Sequence, residues 1–203
     1  MYNAEKTLDR CIRSLIAQLF KQFEIVLVDD GSTDKSPLIC DKYSLSPNIS
    51  VVHKKNGGLG SARNAGISVA RGKYICFVDS DDYVMPNYIE SMYRYAEEYK
   101  ADIVISGYQL KRGKTISSYS PKDLVGVYSG DGYYKKLLEF ANGNSYLYFA
   151  WNKLYKHSII MNNRLLYIDR HCAEDMMFNA EYYNIARTMV IIPATEYVYT
   201  IEN

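Results

Sequence analysis

Six carboxylates in two short runs carry most of the chemistry open to this sequence. Asp29, Asp30 and Asp34 fall in Val28-Asp29-Asp30-Gly31-Ser32-Thr33-Asp34 after the apolar run Phe23 to Leu27, and Asp79, Asp81 and Asp82 fall in Asp79-Ser80-Asp81-Asp82 after Tyr74 to Val78. Asp, Ser and Gly after a strand are also ordinary turn and cap residues, so either run alone has a structural explanation. Two such runs at strand ends point to one crevice, because ligands of open parallel sheets bind beyond the carboxyl ends of the strands. Carboxylates as close as Asp79, Asp81 and Asp82 repel one another in a cleft unless a cation or hydrogen-bond donors compensate. Oxygen-only donors favour a hard ion, Mg2+ or Mn2+, and such ions usually bind through substrate phosphates. A nucleotide or sugar phosphate is therefore the natural guest.

The elements that must position these residues alternate through the first half. Leu8, Ile12, Leu15 and Ile16 recur at helical spacing, with Asn3 as the expected cap. Phe23 to Val28, Ile49 to His53, Tyr74 to Val78 and Ile103 to Ile105 read as strands, and Ser61 to Ala70 and Asn87 to Tyr99 as helices. That order predicts an α/β fold with a Rossmann-like, mostly parallel sheet and helices on both faces. Beyond Gly107 the signal weakens. Lys111 to Gly130 is polar and turn-rich, Tyr133 to Phe140 and Glu174 to Ile185 are helical candidates, and Met189 to Ile192 is apolar. With no linker or repeat between the halves, 1–203 reads as one domain, with 1–107 as the nucleotide-binding half and 108–203 as the acceptor-side half.

Composition narrows the partners. The 203 residues are 48% hydrophobic, enough for a real core, and carry a formal net charge of +1 without basic blocks, so no electrostatic feature calls for nucleic acid. Cys11, Cys40, Cys76 and Cys172 are scattered within mostly apolar stretches, as reduced core cysteines are, which fits a reducing compartment. No apolar run reaches the ~20 residues of a spanning helix, and no export leader is read at the start. His53, His157 and His171 lack metal-ligand spacing, and the adjacent His171-Cys172 pair makes no zinc site.

Four segments in order resemble family 2 glycosyltransferases of the GT-A fold: Tyr2-Asn3-Ala4-Glu5, the Val28 to Asp34 run, Gly57-Gly58-Leu59-Gly60-Ser61-Ala62-Arg63-Asn64-Ala65-Gly66, and Phe77-Val78-Asp79-Ser80-Asp81-Asp82. Trp151-Asn152-Lys153-Leu154-Tyr155-Lys156 and Glu174-Asp175-Met176-Met177-Phe178 resemble the capsule and surface-polysaccharide branch of that family. The resemblance implies an inverting transferase that moves a sugar from a nucleotide-diphosphate donor, a UDP-sugar, to a saccharide or lipid-linked acceptor.

It also implies roles. Asp30 matches the acceptor of hydrogen bonds from the base, and Tyr2 the aromatic residue at the base. Asp79 and Asp81 match the Asp-x-Asp motif, the first near the ribose and the second on a Mn2+ or Mg2+ ion that bridges the phosphates; Asp82 is the weaker ligand candidate. Arg63 and Asn64 match a segment on the nucleotide side, where a cation offsets phosphate charge and an amide fixes a loop. Asp175 matches the general base, although acids in a first helical turn also serve the helix dipole. Glu174, about 100° around the helix from it, reads as an acceptor contact or structural residue. Trp151 matches an acceptor-pocket residue and equally suits a core position. The family pattern further implies a strand ahead of Met1, a segment after Asn203, and a cytoplasmic location, peripheral at the inner face of the membrane.

A rival comes from signalling. Asp29-Asp30 and Asp82-Tyr83-Val84-Met85-Pro86 resemble the acidic pocket and Asp-x-x-Met-Pro segment of phosphoacceptor receiver domains. Against it, Asp82 follows Ser80-Asp81 instead of an apolar strand end, and no Lys-Pro pair follows a fifth strand. A nucleotide-binding but inactive transferase fragment is the third reading.

Overall fold

The structure, a computed structural model, describes residues 1–141, 145–168 and 173–201. Its first half runs α1 (Leu8–Ile16), β1 (Ile25–Asp29), α2 (Ser36–Tyr43), β2 (Ile49–His53), α3 (Gly58–Val69), β3 (Tyr74–Ile75), β4 (Tyr83–Val84), α4 (Tyr88–Glu98) and β5 (Ile103–Ile105). The second half adds β6 (Tyr108–Arg112), β7 (Thr115–Tyr119), β8 (Gly126–Ser129), α5 (Gly130–Ala141), β9 (Lys153–Lys156), α6 (His157–Asn163), α7 (Glu174–Ile185), β10 (Thr188–Ile191) and β11 (Tyr197–Ile201).

β5 shows how the layers are held. Its three residues are fully buried, and the period of two sends Ile103 and Ile105 to one face and Val104 to the other. Ile103 and Ile105 join Phe178 and Tyr182 of α7 in one core, while Val104 joins Tyr88, Met92 and Ala96 of α4 in another. Helices therefore cover both faces of this sheet, as expected, and its order is β3-β9-β5-β10-β8. A third core packs Leu8 and Ile12 of α1 against Ile25 and Leu27 of β1.

The sheets are mixed. β1–β2, β5–β10 and β6–β11 pair in parallel, whereas β3–β9, β5–β9, β8–β10, β4–β11 and β6–β7 are antiparallel, so the expected mostly parallel order holds for three of the eight described pairings. The polar Lys111 to Gly130 stretch turns out to complete β6 and to contain the exposed strand β7 and all of β8. Asn3 does not cap α1. Thr7 holds that position, and Asn3 accepts from Thr33 N–H at 2.8 Å, tying the first residues to the loop after β1.

The expected strand Tyr74 to Val78 pairs only over Tyr74 and Ile75. Across from Cys76 to Val78 lies the edge of β1 turned away from β2, with an apolar cleft of about 700 Å³ between them that Leu8, Cys11 and Ile12 of α1 and Ala62 of α3 also line. The amino group of Met1 donates to Val28 O at 2.8 Å and Asp30 N–H donates to Met1 O at 2.9 Å, so the first residue sits at the end of this cleft. Asp30, Asp79 and Asp81 border it.

Candidate active site

The first acidic run divides by role. Asp30 is almost wholly buried and accepts from Lys54 Nζ just after β2 at 2.5 Å and, at the start of α3, from Gly58 N–H at 2.8 Å and Gly57 N–H at 3.1 Å. Gly31 makes that approach possible: its φ of +74° suits glycine, and a Cβ there would lie 2.6 Å from the backbone nitrogen of Asn56. Asp29 accepts from Ser32 N–H at 3.0 Å and pairs with His53. Asp34 accepts from Glu5 N–H and Ser36 N–H, both at 2.9 Å, and so joins the amino-terminal segment to the start of α2. Of the three, Asp30 faces the cleft, beside half-exposed Tyr2.

The second run divides too. Asp79 accepts from Arg63 Nη2 at 3.1 Å, and its own N–H donates to the Tyr197 hydroxyl at 3.1 Å. Asp81 is exposed at the cleft, and its carbonyl accepts from Arg10. Asp82 is fully buried, with the Tyr197 hydroxyl and Thr200 N–H each donating to it at 2.7 Å. Burial pushes its pKa up to about 7. Both Asp82 oxygens thus serve β11, which removes it as a metal ligand and as the open acidic pocket that a receiver domain needs.

Arg63 connects the clusters. Its guanidinium is 7% exposed, donates to Asp79 and to Asp175 Oδ1, lies 3.8 Å from Glu174, and sits over the rings of Tyr167 and Phe77 at 5.3 and 5.8 Å. Burial works against its charge, but Asp79, Tyr167 and Asp175 outweigh that and hold its pKa above the ordinary value. Burial likewise raises the Asp175 carboxyl, against the pull of Arg63 and of the Ala150 N–H that donates to Oδ2 at 3.1 Å, while Asp79 and Glu174 add to the rise. A carboxylate with a raised proton affinity, held by two donors, is suited to take a proton.

The remaining expected residues fall less evenly. Arg63, expected at the nucleotide, reaches Asp175 as well as Asp79. Asn64 accepts from Tyr167 N–H and donates to Tyr167 O, both at 2.8 Å, so its amide fixes a chain segment, one of the two roles considered for this pair. Glu174 turns toward Arg63 along with Asp175, contrary to the helical-wheel expectation that it points elsewhere. Trp151, open between an acceptor-pocket and a core position, is 4% exposed and stacked on Phe149, Tyr197 and Tyr199, as a core residue is. Cys11, Cys40 and Cys76 are free thiols, whereas His171 and Cys172 lie outside the described residues.

Sequence reasoning missed Lys54, Tyr167, Tyr197 and Ala150. Lys54 had a signal, since it follows β2 directly at the same end as Asp30. Nothing in the chain marks Ala150, whose contribution is a backbone N–H.

Among the described residues, no three His, Cys, Asp or Glu side chains form a metal-binding group. The residues present still suit a hard divalent ion of the phosphate-bridging kind, which needs only one or two carboxylates besides substrate oxygens and water. Asp79 and Asp81, both bordering the cleft, supply that pair.

Comparison with known proteins gives the family. Residues 1–163 match the model of the family described as Glycosyl transferase family 2. The chain belongs to glycosyltransferase family 2. It is 36% identical over 211 residues to the putative glycosyltransferase EpsH of Bacillus subtilis, covering 99% of this chain and 59% of that protein. It is 33% identical over 217 residues to the glycosyltransferase GlyA of Streptococcus pneumoniae, covering 99% of this chain and 30% of that one. The crystal structure of S. aureus TarS 1-349 in complex with UDP-GlcNAc superposes with a TM-score of 0.83 at 26% identity, over 100% of this chain and 57% of that TarS fragment. This family 2 chain has the GT-A fold and spans between about a third and three-fifths of the length of these relatives.

Proposed function

We propose that this chain carries the donor site and the general base of an inverting glycosyltransferase that uses a UDP-sugar and builds a surface polysaccharide. The observation that carries the reading is Arg63, which puts Asp79 of the donor-side cluster and Asp175 on one buried guanidinium. The TarS structures with UDP and with UDP-GlcNAc support the choice of donor, and the relatives support the enzyme class. One relative is named as a poly(ribitol-phosphate) beta-glucosyltransferase, which fits a polymer as acceptor; in our reading the acceptor is a saccharide or lipid-linked chain.

In this reading the base and ribose lie along Tyr2, Asp30 and Asp79. Asp81, with Asp79, would hold a Mn2+ or Mg2+ ion, which when bound neutralises charge on the departing diphosphate. Asp175 accepts the proton of the acceptor hydroxyl as its oxygen bonds to the anomeric carbon. The bond from that carbon to the diphosphate breaks on the opposite face, and the electron pair leaves with UDP. Glu174 contacts the acceptor side. No described helix is long and apolar enough to cross a membrane, and a lipid-linked acceptor would bring the protein to the inner face of the membrane peripherally.

The test is Asp175→Asn assayed by UDP release from UDP-sugars with family-type acceptors. General-base help is worth ~10²- to 10⁴-fold, so transfer should drop by that factor with UDP affinity unchanged. Equal loss of both would remove Asp175 from the role of base.

A further inference from the structure

Lys153 is a buried amine that this mechanism leaves unused. Its side chain is fully buried on β9, and among the described residues no carboxylate lies within ion-pair distance of it. Nζ donates instead to Tyr146 O at 2.6 Å, to Asn152 Oδ1 at 2.8 Å and to Phe149 O. Burial pushes the amine's pKa well below its ordinary value, with Asp175 acting in the opposite direction. An uncompensated buried amine is expensive, so oxygen contacts alone are a reason to ask what it holds.

It holds one end of a peptide whose other end touches Asp175. Phe149 C=O and Ala150 N–H belong to the same planar unit, and in a trans peptide they point in opposite directions. The oxygen end accepts from Lys153 and from Asn179 Nδ2 at 3.3 Å; the nitrogen end donates to Asp175 Oδ2 at 3.1 Å. Neighbouring carbonyls are pinned as well: Tyr148 O by Asn179 at 2.9 Å, Leu147 O by the Tyr183 hydroxyl at 3.2 Å, and Trp151 O by the Tyr88 hydroxyl at 2.6 Å. A reversed Phe149–Ala150 peptide would turn a carbonyl toward the Asp175 carboxylate and forfeit these bonds.

We propose that Lys153 is a positioning residue for Asp175: by gripping Phe149 O it fixes the Phe149–Ala150 peptide with its N–H toward the carboxylate. The inference deepens the proposed function, since it concerns the residue assigned as base, yet the contact it describes exists whatever Asp175 does. Groups facing Asp175 are Arg63 from α3, Glu174 on its own helix, Asp79 after β3, Tyr167, Tyr155 and Lys153 on β9, and all but the last remain in place when Lys153 is changed.

The test is Lys153→Met in the full chain, with the Asp175 carboxyl carbon followed by NMR through a pH titration and identified with Asp175→Asn. Loss of the grip should raise the Asp175 midpoint by about one unit and speed exchange of the Ala150 amide roughly tenfold, with UDP affinity unchanged. A midpoint and an exchange rate equal to those of the unaltered chain would overturn the proposal. Should Lys153→Met fail to fold, the unaltered chain still decides. Its Ala150 amide proton must shift with the Asp175 midpoint, and an amide indifferent to that titration overturns the assignment. Neither readout needs donor or acceptor, so failure here is distinct from an Asp175→Asn variant that keeps full transfer activity.

Discussion

Asp30 is held by Lys54, Gly57 and Gly58, partners 24 to 28 positions away, all at the tip of the next strand or the start of the next helix. Asp175 is held by Arg63, 112 positions away, and by a backbone N–H whose own orientation depends on Lys153 and Asn179. The first carboxylate is set by loop chemistry between neighbouring elements: a glycine with positive φ, amides at a helix start, a lysine after a strand. The second is set by single buried side chains that converge from α3, α7 and β9. Two carboxylates can thus be equally fixed while differing in how local their supports are, and the Asp175 side should be more sensitive to changes far from it.

Arg63 belongs to both sides and offers the largest way to break the comparison. Arg63→Met leaves Asp79 and Asp175 partly buried without their shared cation, and removal of one partner from a buried pair typically costs ~3–5 kcal/mol. Chemical denaturation should show a loss of that order, and UDP affinity and transfer should fall together because both carboxylates lose their support. A variant as stable as the parent would mean that the two sides are not coupled through this guanidinium.

Gly31→Ala sharpens the local side. The positive φ alone costs a side chain roughly 1–2 kcal/mol, and the added Cβ would push on the 54–56 backbone that carries Lys54. UDP binding should weaken while the pH titration of Asp175 stays where it was. Movement of both would show that the supports are less separate than the contacts suggest.

This difference also governs what could be read from the chain. The Asp30 side was legible because strand-then-acid-then-glycine is a local pattern, and β1, β2, α3 and α4 follow from local periodicity. The strand expected through Val78 paired only to Ile75 because pairing depends on a neighbour, which local pattern does not report. Trp151 was open between pocket and core, and only the stacking of Phe149, Tyr197 and Tyr199 decides it. Asp175 came from a motif, but its donors did not. An N–H on Ala150 has no side-chain signature, and the Arg63 contact crosses more than half the sequence.

The smallest expected effect tests the back of the Asp29 loop. His53 Nδ1 lies 3.0 Å from Asp29 Oδ2 and Nε2 lies 3.0 Å from Asp41 Oδ1; Asp29 and then Asp41 raise its pKa above 6.5. The folded state therefore binds the proton more tightly than the unfolded one. Its stabilisation is complete below the unfolded value and is lost as pH rises through the raised folded value. The Tm should fall slightly between about pH 6 and 8, and His53→Gln should flatten that slope; an unchanged slope would place the titrating group elsewhere.

The central claim is that the acidic strand ends form a nucleotide-diphosphate site through Asp79 and Asp81. Calorimetric titration of the folded chain with UDP, in manganese and then in EDTA, tests it most directly with Asp81→Asn as control. The account predicts binding heat in manganese that EDTA and the substitution both abolish. Heat that survives both, or no heat from folded protein in manganese, would contradict it.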